Sequence, residues 1–312
     1  MQFYGTISVG SSAKKFKVLF DTGSGNMWLP TEKTNMCGTK QCYSSRQSTT
    51  STLYTNEYVA KYIGGIVRGV LVKDTVRLGS FTTEQFFAEV NDVSGVGNVY
   101  ASAKWDGVVG MGWPSIAEYN IRPTIFSLFD ANTNLAKQFA FYLPKTPNMD
   151  GELVIGGYNT KRFTGDLVPV QLTSQAHWTV AIPSAKIGNN VISKKVTGIL
   201  DSGSSFISVP QKAFQKILHA TSATMKEGVY VVDCETINQL PNFELEIGGN
   251  KWIFKGIDYI VRFGDKECVI GMLQENSKLF PDNTWIFGHV FFKHIYTVFD
   301  IDQSRVSFAY AK

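Results

Sequence analysis

Two aspartates carry the most reactive pattern in this 312-residue chain. Asp21 lies in Phe20-Asp-Thr-Gly-Ser-Gly-Asn-Met-Trp-Leu-Pro30, and Asp201 lies in Leu200-Asp-Ser-Gly-Ser-Ser-Phe-Ile-Ser-Val-Pro210, 180 positions later. Downstream of the first, Val108-Val109-Gly110 is echoed by Ile286-Phe287-Gly288 at a separation of 178. Two elements repeated in the same order at nearly the same spacing imply two homologous halves, each offering one Asp. Two carboxylates brought into contact cannot both ionise easily, so they share a proton. One can then act as general base on a bridging water while its protonated partner donates to a carbonyl oxygen. The product is a tetrahedral gem-diol, which collapses as the proton moves to a leaving amine, with no covalent intermediate.

Such chemistry needs rigid loops. Apolar residues immediately before each Asp place it at the end of a buried strand. Gly23 and Gly203 permit a tight turn and a close backbone approach. The hydroxyls of Thr22 and Ser24, and of Ser202 and Ser204, can bond to backbone or carboxylate and stiffen each loop. The surrounding chain reads as many short strands punctuated by Gly, Asn, Asp and Ser, as in an all-β protein. Phe16–Phe20, Gly69–Val72, Glu152–Ile155 and Val196–Leu200 are the clearest β runs. Helical spacing of apolar residues is rare, with Thr124–Phe129 and Pro210–Leu218 the best candidates and Pro210 suited to a helix start.

Bulk properties exclude several classes. The length suits two domains with separate cores. No apolar run approaches the roughly 18–20 residues of a membrane span, and the opening Met1–Ser8 lacks the basic start and apolar core of a signal peptide. The net charge of +4 is scattered, with Lys14-Lys15 and Lys194-Lys195 the densest doublets, so nothing reads as a nucleic-acid groove. The four cysteines permit three pairings. Cys37 and Cys42 can close a short local loop, leaving Cys234 and Cys268 to close one in the second half; a zinc site competes but lacks ligand spacing. No Asn-x-Ser/Thr sequon occurs.

The ordered set Phe20-Asp-Thr-Gly-Ser, Trp28-Leu-Pro, Tyr62 with Gly69-Val-Leu and Asp74-Thr-Val, Asp106-Gly-Val-Val-Gly, Gly165-Asp-Leu-Val-Pro-Val170, Asp201-Ser-Gly-Ser-Ser and Tyr296-Thr-Val-Phe-Asp300 resembles the pepsin-like aspartic endopeptidases almost end to end. The resemblance implies an all-β, bilobal double β-barrel or sandwich with a few short helices and pseudo-twofold related lobes. The first lobe is expected over 1–170 and the second over 171–312. By the same resemblance Asp21 and Asp201 are catalytic, and Tyr62 and Gly64 lie on a hairpin flap over substrate. Gly23, Gly203 and Ser204 meet the substrate backbone, while Thr22, Ser24, Ser202 and Trp28 support, the last through its indole N–H to Tyr62. Cys37–Cys42 and Cys234–Cys268 match family disulfides by position. No cofactor or metal is implied. The implied partners are peptide or protein substrates, a pro-segment of a zymogen and pepstatin-type inhibitors, with the enzyme acting as a monomer in a secreted, secretory or vacuolar, lysosome-like compartment.

Four positions depart from the family pattern. Gly25 replaces a second serine, Ile63 follows Tyr62 where glycine is common, Arg68 has no family role, and His289 stands where an aspartate often follows Ile-Phe-Gly. A non-cleaving binding protein on the same fold, a two-carboxylate glycosidase and a metal enzyme are the competing classes. Both Asp-Thr/Ser-Gly motifs are intact, which favours cleavage over binding alone. The aromatic content of 13% suggests apolar subsites. The pI of about 8.7 leaves few acidic groups to limit self-repulsion at very low pH, so a mildly acidic optimum is expected.

Overall fold

The computed structural model describes residues 2–312 except Asn35, Ile63, Pro147, Asn148, Asp265, Lys266 and Lys278; for Thr55 and Asn56 the backbone alone is described. The question raised by Ile63 therefore lies outside the described residues. The chain forms two compact units, Met1–Ala136 and Lys137–Lys312.

In the first unit the strands are β1 (Gly5–Val9), β2 (Lys14–Asp21), β3 (Met27–Pro30), β4 (Thr52–Tyr62), β5 (Gly65–Leu78), β6 (Phe81–Asp92) and β7 (Gly107–Gly110). Their order is β1-β2-β7-β3-β6-β5, and β5 pairs back onto β1 through Ser8↔Arg77 and Val9↔Val76 to close a six-stranded barrel. Closure removes the free edges that an open sheet would expose. Alternation sets which side faces in: Phe16, Val18 and Phe20 of β2 are buried while Lys15 and Lys17 are exposed. Strand β4 lies outside the barrel, paired to β5 as a hairpin whose last pair is Tyr62↔Gly65. Helix α1 (Gly97–Ser102) precedes β7, and α2 (Thr124–Ala131) buries Ile125, Phe126, Leu128 and Phe129.

The second unit continues with β8 (Gln138–Tyr142), β9 (Glu152–Ile155), β10 (Phe163–Gln171), β11 (Ser174–Gln175), β12 (Trp178–Ile187), β13 (Asn190–Leu200), β14 (Ile207–Val209), helix α3 (Gln211–Thr221), β15 (Thr224–Lys226), β16 (Val229–Val232), β17 (Phe243–Ile247), β18 (Asn250–Phe254) and α4 (Gly256–Tyr259). It ends with β19 (Ile260–Phe263), β20 (Glu267–Ile270), β21 (Met272–Gln274), β22 (Thr284–Phe287), α5 (His289–Phe292), β23 (Ile295–Asp300) and β24 (Arg305–Ala311). These form three sheets. One runs β10-β24-β23-β8-β9, one runs β18-β17-β12-β13-β22-β14-β21 with β11 on β12, and one runs β15-β16-β20-β19. Residues 138–170, placed by the sequence within a first lobe over 1–170, supply β8, β9 and most of β10, and β8 and β10 pair with the C-terminal β23 and β24. That pairing joins residues about half the chain apart and leaves no local signature. The four expected strands and both expected helices are present.

One arrangement is built twice. β2 runs parallel to β7, with Phe20↔Val109 and Asp21↔Gly110, and the chain then returns as β3 antiparallel on the other side of β7. In the second unit β13 runs parallel to β22 and β14 returns antiparallel on its far side, with Leu200↔Phe287 and Ile207↔Phe287. The apolar-apolar-glycine element is thus the central strand of each crossing. A Cβ on Gly110 would fall 2.5 Å from both Asn26 N and Gly25 C; on Gly288 it would fall 2.4 Å from Ser204 O and 2.5 Å from Phe206 O. Backbone occupies the space a side chain would need. Gly110→Ala is expected to lower unfolding free energy by about 3 kcal/mol or more, read from urea denaturation; an unchanged midpoint would refute the close crossing.

Candidate active site

Each Asp sits where its strand leaves the crossing. Asp21 ends β2, and its carbonyl accepts from Met111 N at 2.7 Å, while Gly110 N donates to Asn26 O at 3.0 Å and Gly112 N to Ser24 O at 2.8 Å. Asp201 follows β13, its N–H donates to Phe287 O at 2.9 Å, and Gly288 N donates to Phe206 O at 3.1 Å. Each loop is therefore fixed by backbone bonds to the central strand before any side chain acts.

The carboxylates are cradled alike. Gly23 N donates to Asp21 Oδ1 at 2.9 Å and Ser24 Oγ to Asp21 Oδ2 at 2.5 Å. Gly203 N donates to Asp201 Oδ1 at 2.8 Å and Ser204 Oγ to Asp201 Oδ2 at 2.6 Å. The side chains are nearly sealed, Asp21 being 7% and Asp201 9% exposed. Thr22 and Ser202, next in sequence, are buried as well. Ser204 thus does for Asp201 what Ser24 does for Asp21, although the resemblance had assigned it to substrate. Charge-assisted bonds of this kind are among the stronger hydrogen bonds in proteins, and one donor on each oxygen fixes carboxylate rotation.

Around Asp21, Trp28 packs in a cluster with Tyr58, Val67, Val90, Tyr100 and Val108, and the half-buried Tyr62 lies against that cluster. Burial pushes the Tyr62 phenol well above its ordinary pKa, the charges of Tyr58 and Asp21 add to the rise, and the Trp28 indole partly opposes it. Tyr62, neutral as any phenol is below its ordinary pKa, lies close enough to feel Asp21. Trp28 Nε1 and Tyr58 Oη are buried beside it without completing an aligned hydrogen bond among the described residues. A Cβ on Gly64 would meet nothing within 4 Å beyond its chain neighbours. Gly65 is different: its φ is +135°, and a Cβ would overlap Gly95 O. The Gly65–Gly95 contact backs the hairpin tip and has no sequence signal beyond the glycines. Arg68 faces Glu57 at 3.9 Å across the hairpin, with both side chains largely exposed, a surface pair of small worth.

Tyr119 was not anticipated. It takes a left-handed conformation, φ 60°, and its hydroxyl accepts from Val59 N of β4 at 2.9 Å. Its ring lies 5.3 Å from that of Tyr58. Around Asp201 stand two of the four histidines. His177 is half-buried with its ring edge-on to Phe280; burial lowers its pKa and the Asp201 charge works the other way. His289 is 2% exposed, and its Nε2 lies 2.8 Å from Ser202 O. Burial pulls its pKa down to about 4 against the opposing pull of the Ser202 carbonyl and Asp201.

The four cysteines form Cys37–Cys42 and Cys234–Cys268, one bridge in each unit. This removes them as metal ligands. Among the described residues no group of three or more His, Cys, Asp or Glu side chains is placed to hold a metal ion.

Comparison with known proteins covers the whole chain. The family model for eukaryotic aspartyl protease matches residues 2–311. Cathepsin D of Chionodraco hamatus is 32% identical over 326 residues, covering 100% of this chain and 81% of that protein. Renin-2 of Mus musculus is 30% identical over 322 residues, covering 100% and 80%. Cathepsin E of Rattus norvegicus is 31% identical over 319 residues, covering 99% and 80%.

The structure also accounts for Gly25. Asn26 Oδ1 accepts from Glu118 N at 2.7 Å and its Nδ2 donates to Glu118 O at 3.2 Å, which clamps the segment after Trp113 onto the Asp21 loop. A Cβ on Gly25 would then lie 2.8 Å from both Cα and Cβ of Ala117 and 2.9 Å from its N. A serine at this position has no room. Gly25→Ser is expected to cost about 1–3 kcal/mol of stability, with Ala117→Gly in the same chain recovering part of it because the Cβ contact goes while the backbone contacts stay. Denaturant midpoints measure both; a Gly25→Ser protein as stable as the native one would contradict this packing.

Proposed function

The chain belongs to the eukaryotic aspartyl protease family, an aspartic-type endopeptidase, and from that premise we propose that Asp21 and Asp201 are its catalytic pair. The observation that carries the proposal is the carboxylate cradle built twice, with a glycine N–H on one oxygen and a serine hydroxyl on the other. In this reading the pair holds one proton and a water. One carboxylate takes a proton from the water as it attacks the scissile carbonyl, and the other donates to the carbonyl oxygen. The gem-diol breaks down with proton transfer to the amine. No charged nucleophile is stored on the protein.

Tyr62 and Gly64 cover the substrate from the β4–β5 hairpin, with Trp28 behind Tyr62. Gly23 and Gly203 offer backbone groups to an extended peptide, which binds by strand-like hydrogen bonding. Ser204 donates its hydroxyl proton to Asp201 and keeps oxygen lone pairs that can accept from a peptide N–H. Thr22, Ser24 and Ser202 complete the supports. The substrates are peptides or proteins with bulky apolar residues flanking the cut, and pepstatin-type compounds inhibit. A monomer matured from a zymogen in a secretory or vacuolar compartment fits the two disulfides, which favour oxidising surroundings. No helix among the described residues is long and apolar enough to cross a membrane.

The test is cleavage of a fluorogenic apolar peptide across a pH series, with and without pepstatin, by native protein, Asp21→Ala and Asp201→Ala. Native activity is expected to peak in mild acid, above about pH 2.5, and each substitution is expected to lower kcat by about three orders of magnitude or more. A well-folded native protein that forms stable, uncleaved complexes with polypeptides would replace this reading with a binding function.

A further inference from the structure

The two Asp loops match in their inner contacts and differ in what holds them from behind. Counting from the repeated glycines, His289 occupies the place that Met111 occupies in the first half. A methionine thioether has no proton to donate. His289 does, and it holds the Asp201 loop at two points: its backbone N–H donates to Ser204 O at 2.9 Å, and its ring Nε2 lies 2.8 Å from Ser202 O. A carbonyl can only accept, so Nε2 carries the proton. Ser202 and Ser204 flank Gly203, whose N–H is one of the two donors to the Asp201 carboxylate. The ring is sealed from solvent, and charging it there is unfavourable unless the charge is compensated.

We infer that His289 is a positioning residue for Asp201, its ring Nε2–H tethering the Ser202–Ser204 loop, and that a second ring proton, which leaves this tether in place but puts a charge into the sealed space behind the loop, sets the acid limit of the activity. The inference rests on the reading of Asp201 as a catalytic carboxylate. Among the described residues, the charged groups acting on the ring are Asp201, which favours the imidazolium, and Lys293 one turn along α5, which opposes it. Burial dominates both, and the ring stays neutral down to about pH 4. Below that a positive charge enters a sealed space beside Asp201. The sign for stability follows: an unfolded histidine takes its proton near 6.5 and the folded one near 4. The stability from neutral His289 is therefore complete above about 6.5 and is lost as pH falls to about 4. Met111 imposes no such limit on the first loop.

Imidazole ¹⁵N spectra of the native protein test the tether without reference to activity. The expected result is a proton on Nε2 at pH 6 and protonation of the ring near pH 4; a proton on Nδ1, or a ring already charged at pH 6, would overturn the inference. Kinetics test the consequence. His289→Leu removes the donor and is expected to lower kcat about tenfold with KM changed less than about twofold, the rate equivalent of one hydrogen bond. His289→Gln keeps an N–H where Nε2 was and cannot titrate. It is expected to recover most of the lost kcat, to shift the acid limb of the kcat profile to lower pH, and to flatten the fall of melting temperature between about pH 6.5 and 4. If His289→Leu does not fold, the Gln variant decides alone. Acid limbs of native and Gln proteins that superimpose would refute the role. A native protein inactive at every pH would fail the proteolytic reading, and the ¹⁵N titration would still decide whether the tether exists.

Discussion

Everything near the two carboxylates depends on backbone passing backbone without side chains between. At Gly110 and at Gly288 the central strand lies so close to the returning loop that a single methyl group would occupy the position of main-chain atoms. That closeness lets one short strand pair on both flanks within four residues, parallel to the strand that delivers the Asp and antiparallel to the one that follows it. The loop between them is then anchored to the central strand by main-chain hydrogen bonds. The serine and glycine donors add orientation to a carboxylate whose position is already fixed. Precision at the site comes from an absence of side chains at two positions.

The halves are equal in frame and unequal in support. The first loop is pressed from outside by Ala117, held there by the reciprocal Asn26–Glu118 bonds, and answers with Gly25. The second has Ser205 at the matching place and is held from behind by His289. The first half also carries the hairpin, where the Tyr62 phenol lies within reach of the Asp21 charge. A duplicated frame with divided surroundings is what two chemically identical groups need if they are to act as acid and base in one step.

The frame was legible because it is written in short, repeated, local strings. An apolar strand, an Asp, a glycine turn and a distant apolar-apolar-glycine element specify the crossing twice, and repetition separated it from chance. Strand runs such as Phe16–Phe20 and the helix at Thr124 were readable from alternation and spacing. What could not be read depends on tertiary partners. The sequence leaves open whether the Ser204 hydroxyl meets backbone or carboxylate, and only the fold puts it on Asp201. Gly25 looks like a lost hydroxyl until Ala117 is seen against it. His289 gives no hint of a carbonyl partner 87 residues earlier. The place of residues 138–171 in the C-terminal sheet is likewise set by pairings with strands more than 130 residues distant.

The Tyr119 contact has a bearing on the company this protein keeps. β4 is the outermost strand of its sheet, paired on one side only. Outer strands present a row of unpaired main-chain groups on which another polypeptide can build. An endopeptidase works among loosened, extended chains, which are the partners best able to exploit such a row. At Val59 the outward N–H is already taken by a phenol hydroxyl, delivered by a residue held in a costly left-handed conformation. One local strain thus caps a site of unwanted strand addition and leaves that stretch of edge poorly suited to template a passing chain.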